Sequence, residues 1–181
     1  MTASTDVSLD CGPCRLRAWR RDDVASLLRQ ADNPNVAANM RDRFPHPYTE
    51  ADAAAWLEQA TGEPAGTNWA IDVDGEAVGG IGLMPQQDFN RGTAEIGYWL
   101  GEAFWGRGIV TAAVIALTSH ALRTLGYRRL FATTLIRNTA SQRVLEKSGY
   151  VREGVFRRSA VKEGLVLDQV IYSFVESDLK D

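Results

Sequence analysis

Along the chain the spacing of hydrophobic and polar positions changes several times, and each change marks an element. CRLRAWR, residues 14–20, alternates with Leu16 and Ala18 on one face and Arg15 and Arg17 on the other, which predicts a first strand. Asp22 or Asp23 then caps a helix carrying Val24, Leu27 and Leu28 at helical spacing, and DNPNV breaks it. After a proline-punctuated loop, Thr49 followed by Asp52 has the form of a cap that opens a second helix through about Ala60. Beyond Gly66 the period becomes two. NWAIDVDG, EAVGGIGLM and GTAEIGYWL predict three strands of a meander, the first two joined by an Asp74-Gly75 hairpin turn.

A long helix is predicted over 105–125, with Ile109, Ala113 and Leu117 on one stripe, and RRLFATTLI reads as a buried strand. The next helix, 139–147, stops at Gly149, a left-handed cap position. YVREGVFRRSAV and LVLDQVIYSFV close the chain as two strands around a Lys162-Glu163-Gly164 turn. The order βαα-βββ-α-β-α-ββ predicts an α/β (α+β) protein with a mixed sheet and helices on its faces. With 181 residues, 45% of them hydrophobic, the chain is long enough for one sizeable core and short for two full domains. Residues 1–13 read as a loose N-terminal segment and 14–181 as a single domain.

Charge narrows the partners. The formal net charge is −3 with basic and acidic residues interspersed, so the chain carries no electrostatic footprint for nucleic acid. The longest charge-free helical stretch, 109–122, is well short of the roughly 20 apolar residues of a membrane span. MTASTDVSLD has neither the basic start nor the apolar block of a signal peptide, so a cytoplasmic location with reduced cysteines is expected.

CGPC, residues 11–14, has the spacing of a redox tetrapeptide, whose first thiol is activated at a helix N-terminus. Here a strand pattern follows it, so a turn leading into that strand is expected. A zinc site would need two further ligands, and His46 and His120 lie on unrelated segments, so no metal is expected. His120 reads as a packing histidine and Asp168 as a strand-end hydrogen-bonding group.

FWGRGIVTAAV, residues 104–114, places Gly106 and Gly108 between a strand and the first turn of the long helix. The first amides of a helix lack intrahelical partners, and glycine lets an anion approach them closely. The expectation is a phosphate cradle, with Arg107 adding a charge that reaches the same anion. A dinucleotide fold would want a third glycine or alanine and an acidic residue near the end of the next strand. The chain has Thr111 at the former place, and Arg137 with Asn138 after RRLFATTLI.

WGRGIVTAA, NTASQRVLEKSGYVREGVFRR and LVLDQVIYS, in that order, resemble the GNAT superfamily of acyl-CoA-dependent N-acyltransferases, in particular the ribosomal-protein N-terminal (alanine/serine) acetyltransferase branch. The similarity covers nearly all of the chain after residue 14, from LRAWRRDDV through FPHPYTEADAAAWL. It implies the GNAT fold: a mostly antiparallel seven-stranded sheet splayed between its fourth strand, about residues 92–100, and its fifth, about 129–136. It further implies that acetyl-CoA lays its pantetheine arm along Trp99 and Leu100 and its diphosphate on Arg107, Gly108, Ile109, Val110 and Thr111. Asn138 would bond the arm near the thioester, and Arg143 would contact the nucleotide end. Trp105 stands where the superfamily cradle has Gln or Arg, Val110 where Gly or Ala is usual, and Ala112 where the branch often has Glu.

Acyl transfer from a thioester needs a neutral amine and some means of handling the departing thiolate. An α-amino group is roughly 10% neutral at pH 7, a lysine well under 0.1%, so an N-terminal amine asks less of its base. Glu95, on the strand beside which the resemblance brings the thioester, is the candidate base, acting directly or through a water; Tyr98 faces the opposite side. The family tyrosine seven residues after Asn138 is Leu145 here, and the branch implies Ser141 as the substitute that protonates the thiolate. Phe44, His46 and Tyr48 lie in the loop that lines the acceptor pocket in this family. The expected activity is transfer of an acetyl group from acetyl-CoA to a primary amine by direct attack in a ternary complex, a protein N-terminus being one acceptor. Aminoglycosides or polyamines are the alternative acceptors, and a non-catalytic acyl-CoA-binding module is the alternative role. The terminal strands offer a surface through which the chain could form a homodimer.

Overall fold

The computed structural model describes residues 8–62 and 67–179, so most of the segment read as loose and part of the loop before NWAIDVDG lie outside the described residues. The described residues gather into two compact units: the chain up to Leu83 together with Tyr98–Ala113, and Met84–Gly97 together with the chain from Val114 onward.

In the first unit, β1 (Leu9–Asp10), β2 (Arg15–Arg17), β3 (Asn68–Val73) and β4 (Glu76–Pro85) pair antiparallel in sequence order. Among the described residues the sheet has eight strands where seven were expected. The extra strand is β1, whose two residues are too few to show a period and which exists only because CGPC turns the chain back onto β2. Asp74 and Gly75 both have positive φ (53° and 89°), the two-residue hairpin geometry that this dipeptide favours.

Helix α1 (Val24–Ala31) follows a 3₁₀ turn at Arg21–Asp23. DNPNV does end α1, but it also starts α2 (Pro34–Ala37): the Asn33 side chain accepts from the amides of Asn35 and Val36, and Pro34 takes the first position, where no amide is needed. The expected Thr49 and Asp52 cap forms reciprocally, Asp52 N to Thr49 Oγ1 at 3.2 Å and Thr49 N to Asp52 Oδ2 at 2.9 Å, and opens α3 (Glu50–Gly62). The core of this unit is aromatic-rich: Trp19, Leu27, Tyr48, Leu57 and Ala70 are buried, with Phe44, Trp56 and Trp99 packed against them.

Arg17 departs from the alternation. It is buried, its Nε 2.6 Å from Asp72 Oδ2 and its Nη1 and Nη2 2.9 and 2.8 Å from the Asp23 carboxylate. Two carboxylates on neighbouring segments turn an outward-reading arginine inward.

In the second unit, the first residues of β5 (Thr93–Leu100) run parallel to β6 (Arg129–Leu135) through Thr93↔Arg129, Ala94↔Leu130 and Glu95↔Phe131. The ladder ends there, while β5 continues through Ile96 and Gly97 and β6 through Ala132 and Thr133. This divergence is the splay expected between the two strands. β6 pairs antiparallel with β8 (Leu165–Val175), and β8 with β7 (Val151–Lys162). Glu163 and Gly164, both at positive φ, make the expected tight turn between β7 and β8. Helix α5 (Thr139–Lys147) has the predicted bounds and ends at Gly149, φ 85°. Leu117, Leu130, Leu145, Val170 and Tyr172 are buried here, and the Tyr150 hydroxyl lies 2.8 Å from Thr118 Oγ1. Asp168 Oδ1 accepts the Arg158 amide at 2.7 Å; the bond lies within β8 at the bulge of β7, not at a strand end as read.

The long helix, α4, spans Ile109–Arg123 and begins four residues later than its pattern predicts. Gly106 and Gly108 sit at φ 74° and 75°, and a left-handed backbone cannot continue a right-handed helix, so Glu102–Phe104 forms a separate 3₁₀ turn ahead of it. No helix among the described residues is long and apolar enough to cross a membrane.

Candidate active site

The turn before α4 is built from its own sequence. Two left-handed glycines bracket Arg107, and helical bonding begins with the Ala112 amide donating to Gly108 O at 3.0 Å. The amides that precede Ala112 in the helix therefore point along its axis towards the turn, with the positive end of the helix dipole behind them. Gly106, Arg107 and Gly108 are exposed, Ile109 is buried, and Val110 and Thr111 are partly buried. A Cβ at Gly106 or Gly108 would meet nothing within 4 Å, so these glycines serve backbone conformation and access, not close packing. The Arg107 guanidinium sits 5.0 Å over the Phe104 ring, a contact that holds a cation beside the open end of the helix. Trp105 donates its indole N–H to Leu100 O at 2.8 Å and thereby ties the turn back to the end of β5.

The same unit gathers three of the sequence-singled aromatics. Phe44 packs on Tyr48 with ring centroids 5.2 Å apart and on Trp99 at 5.5 Å. Tyr48 is buried, and burial, with Asp52 nearby, pushes its phenol up to about 12. Trp99 lies against Gly80, where a Cβ would come 2.7 Å from its indole nitrogen. Its side chain is thus committed to the core, and the backbone of Trp99 and Leu100 is what β5 offers to a ligand. His46 stands apart from the aromatics, exposed, with Nδ1 3.5 Å from Asp32 Oδ1. Asp32 Oδ1 also accepts the Tyr48 amide at 2.9 Å.

In the other unit, Glu95 is half-buried at the last rung of the parallel ladder, and Thr133 donates its hydroxyl to Glu95 Oε1 at 2.8 Å. Thr133 is the residue the sequence reading missed. Only the register of β5 on β6 puts it beside Glu95, and a parallel register has no local signal. Asn138 caps α5, its Oδ1 accepting the Ser141 amide at 3.2 Å, so its amide nitrogen is the part the cap does not use. Ser141 is half-buried in the first turn of α5, Arg143 is exposed one turn on, and Leu145 is fully buried. His120 is partly buried, and desolvation pulls its pKa below the ordinary histidine value.

A glycine-bracketed cation at a helix start and a parallel strand pair that parts beside a half-buried carboxylate are the features that comparison with known proteins bears on. The acetyltransferase (GNAT) domain family matches residues 14–151. The chain is 31% identical over 148 residues to the "Putative ribosomal N-acetyltransferase YdaF" of Bacillus subtilis (strain 168), covering 82% of this chain and 75% of that protein. It is 33% identical over 84 residues to the ribosomal-protein-serine acetyltransferase of Escherichia coli (strain K12), covering 46% of each. Among solved structures, RimJ of Mycobacterium smegmatis in complex with CoA-disulfide superposes with a TM-score of 0.80 at 26% identity, over 97% of this chain and 89% of that one. Sequence and fold agree, and the chain belongs to the GNAT acetyltransferase family as an N-acetyltransferase.

Proposed function

We propose that this enzyme moves the acetyl group of acetyl-CoA to the N-terminal amine of a protein. The observation that carries the reading is the α4 turn, with Gly106 and Gly108 at positive φ on either side of an exposed arginine. Its donor set suits a diphosphate: a helix start supplies amides and a positive dipole end, and Arg107 supplies a full charge. Residues 107–111 hold the diphosphate, the backbone of Trp99 and Leu100 aligns the pantetheine, Asn138 Nδ2 fixes its far end and Arg143 meets the nucleotide. The bound co-substrate supplies an activated acyl carbon and a thiolate leaving group.

Glu95 takes the proton from the attacking amine. Thr133 donates to one of its oxygens, which orients the carboxylate. Ser141 donates a hydrogen bond to the departing sulfur, whose conjugate acid has a pKa near 8.5 and demands little help. Phe44, His46 and Tyr48 line the acceptor side. Residues 14–181 work as one transferase domain in the cytoplasm. Two relatives, named as a putative ribosomal N-acetyltransferase and a ribosomal-protein-serine acetyltransferase, favour a protein acceptor over a polyamine or aminoglycoside.

The test is thiol release from acetyl-CoA against a panel of N-terminal peptides, their N-blocked forms, polyamines and aminoglycosides. Release with free-amine peptides only is expected, and release confined to the small amines overturns the acceptor assignment. Glu95→Gln should leave CoA affinity intact and lower kcat/KM by about 10²-fold or more, the usual contribution of a positioned base. An unchanged rate removes Glu95 from the mechanism.

A further inference from the structure

The transfer chemistry makes no use of CGPC, yet the fold gives its two thiols a specific setting. Leu9↔Leu16 and Asp10↔Arg15 are paired, and the Cys11 amide donates to Cys14 O at 2.9 Å, so the two cysteines stand opposite each other at the end of a hairpin. Gly12, at φ 84°, and Pro13 make the connecting turn, with glycine at the first central position that such a hairpin turn requires. Opposed, hydrogen-bonded antiparallel residues have Cα atoms about 5.5 Å apart, within the roughly 4.4–6.8 Å that a disulfide spans. Cys11 Sγ donates to Leu9 O at 3.6 Å. Cys11 is partly exposed and Cys14 is buried. Cys14 Sγ also donates to Ile109 O at 3.8 Å, which anchors the hairpin to the first residue of α4.

We propose that Cys11 and Cys14 are a thiol–disulfide switch: a small-molecule disulfide oxidises them to an intramolecular disulfide, and loss of the Cys14–Ile109 hydrogen bond loosens the first turn of α4. The chemistry divides between the two thiols. The neighbouring Cys14 thiol holds the Cys11 thiol below its ordinary range, against the opposing effects of burial and Asp10, and Cys11 is the more exposed of the two, so Cys11 is the attacking group. The neighbouring Cys11 and burial push Cys14 up, which keeps it protonated until the second step. Cys11 thiolate forms an S–S bond with one sulfur of RSSR and expels the other as thiolate, which is protonated to RSH. Cys14 then gives its proton to water, attacks Cys11 Sγ and expels the second RSH. The pair loses two electrons and two protons, and one RSSR becomes two RSH. No helix dipole takes part; the hairpin register does the positioning that a helix start does in other CxxC sites.

A consequence for CoA affinity rests on the reading that the α4 turn holds the diphosphate, so the primary test avoids CoA. The full chain is equilibrated with oxidised glutathione and analysed by mass spectrometry, then returned to dithiothreitol. A peptide carrying both cysteines should lose two hydrogens and regain them. Amide exchange over residues 112–115, the first hydrogen-bonded amides of α4, should with no ligand present quicken by about threefold or more in the oxidised form, the scale of losing one hydrogen bond. Cys11→Ala should abolish both effects while keeping the Cys14–Ile109 contact, and Cys14→Ala should trap glutathione on Cys11. Thiols that stay reduced, a wild-type adduct that never resolves to the intramolecular disulfide, or a disulfide formed with unchanged exchange at 112–115 would each overturn the switch. CoA binding is then titrated on both forms. Weaker binding to the oxidised form is expected, whereas failure of the reduced protein to bind CoA refutes the diphosphate reading and leaves the exchange result standing.

Discussion

Arg17 holds two carboxylates on one buried guanidinium, Asp23 through Nη1 and Nη2 and Asp72 through Nε. The Asp23 bond, and then the Asp72 bond, raise the arginine's pKa against a desolvation that opposes charge, so the site is ionised throughout the working pH range. Taking one partner from such a group leaves an uncompensated buried charge, and Asp23→Ala should cost about 3–5 kcal/mol, read as a lower urea midpoint. An unchanged midpoint would mean that water enters and replaces the carboxylate. The burial of Arg17 was not legible in CRLRAWR because its partners lie 6 and 55 positions away, and alternation reports only which face a residue takes. Glu95 is the converse case: its strand was legible, whereas Thr133, its hydrogen-bond partner, was not.

At the scale of elements, the glycines separate into two physical kinds. Gly108 lies in open space at φ 75°, so Gly108→Ala costs chiefly backbone strain, about 1–2 kcal/mol, and shifts the helix start. On the proposed function it should also weaken CoA binding by about tenfold for each 1.4 kcal/mol of binding lost, measured by titration calorimetry. Equal affinity would detach the turn from the diphosphate. Gly80 has an unstrained backbone, but a Cβ there would lie 2.7 Å from Trp99 Nε1 and 3.0 Å from Trp19 Cζ2. Gly80→Ala should therefore lower thermal stability through overpacking, by about 1–3 kcal/mol. Caps and turns were the most legible features: Thr49 with Asp52, Asp74-Gly75, Glu163-Gly164 and Gly149 act through neighbours within a few residues. The short elements β1 and α2 escaped because two to four residues cannot display a period.

The pH dependence of the whole chain's stability has an acid limb with an identifiable source. Arg129 on β6 donates to both oxygens of Glu153 on β7, at 2.8 and 2.5 Å, and Ser173 on the intervening β8 donates at 2.7 Å. The Arg129 bonds first, and then the Ser173 bond, pull the Glu153 carboxyl down to about 2 from its usual 4.5. A folded-state pKa below the unfolded one contributes stability that is complete above pH 4.5 and fades as pH falls towards about 2. Glu153→Gln should be less stable than wild type at about pH 6, with the gap narrowing as pH falls below about 4.5 and closing only below about pH 2, as followed by urea unfolding at each pH. A gap that does not change with pH would show that the carboxyl titrates alike in both states. Solvent reaches this cluster, so the effect should shrink in high salt.

The sequence by itself determined the element order, the caps, the tight turns and the glycine-bracketed arginine ahead of a helix, because each depends on residues within about one turn of one another. The same local patterns, read together, sufficed to resemble the family to which the chain belongs. Only the tertiary structure decided that Arg17 is buried, that Thr133 meets Glu95, that Phe44 reaches Trp99, and that two cysteines face each other beneath the start of α4. Those facts depend on strand register and on contacts between distant segments. A register shift of one residue would turn Arg17 or Thr133 to the other face of its strand while leaving the local pattern unchanged.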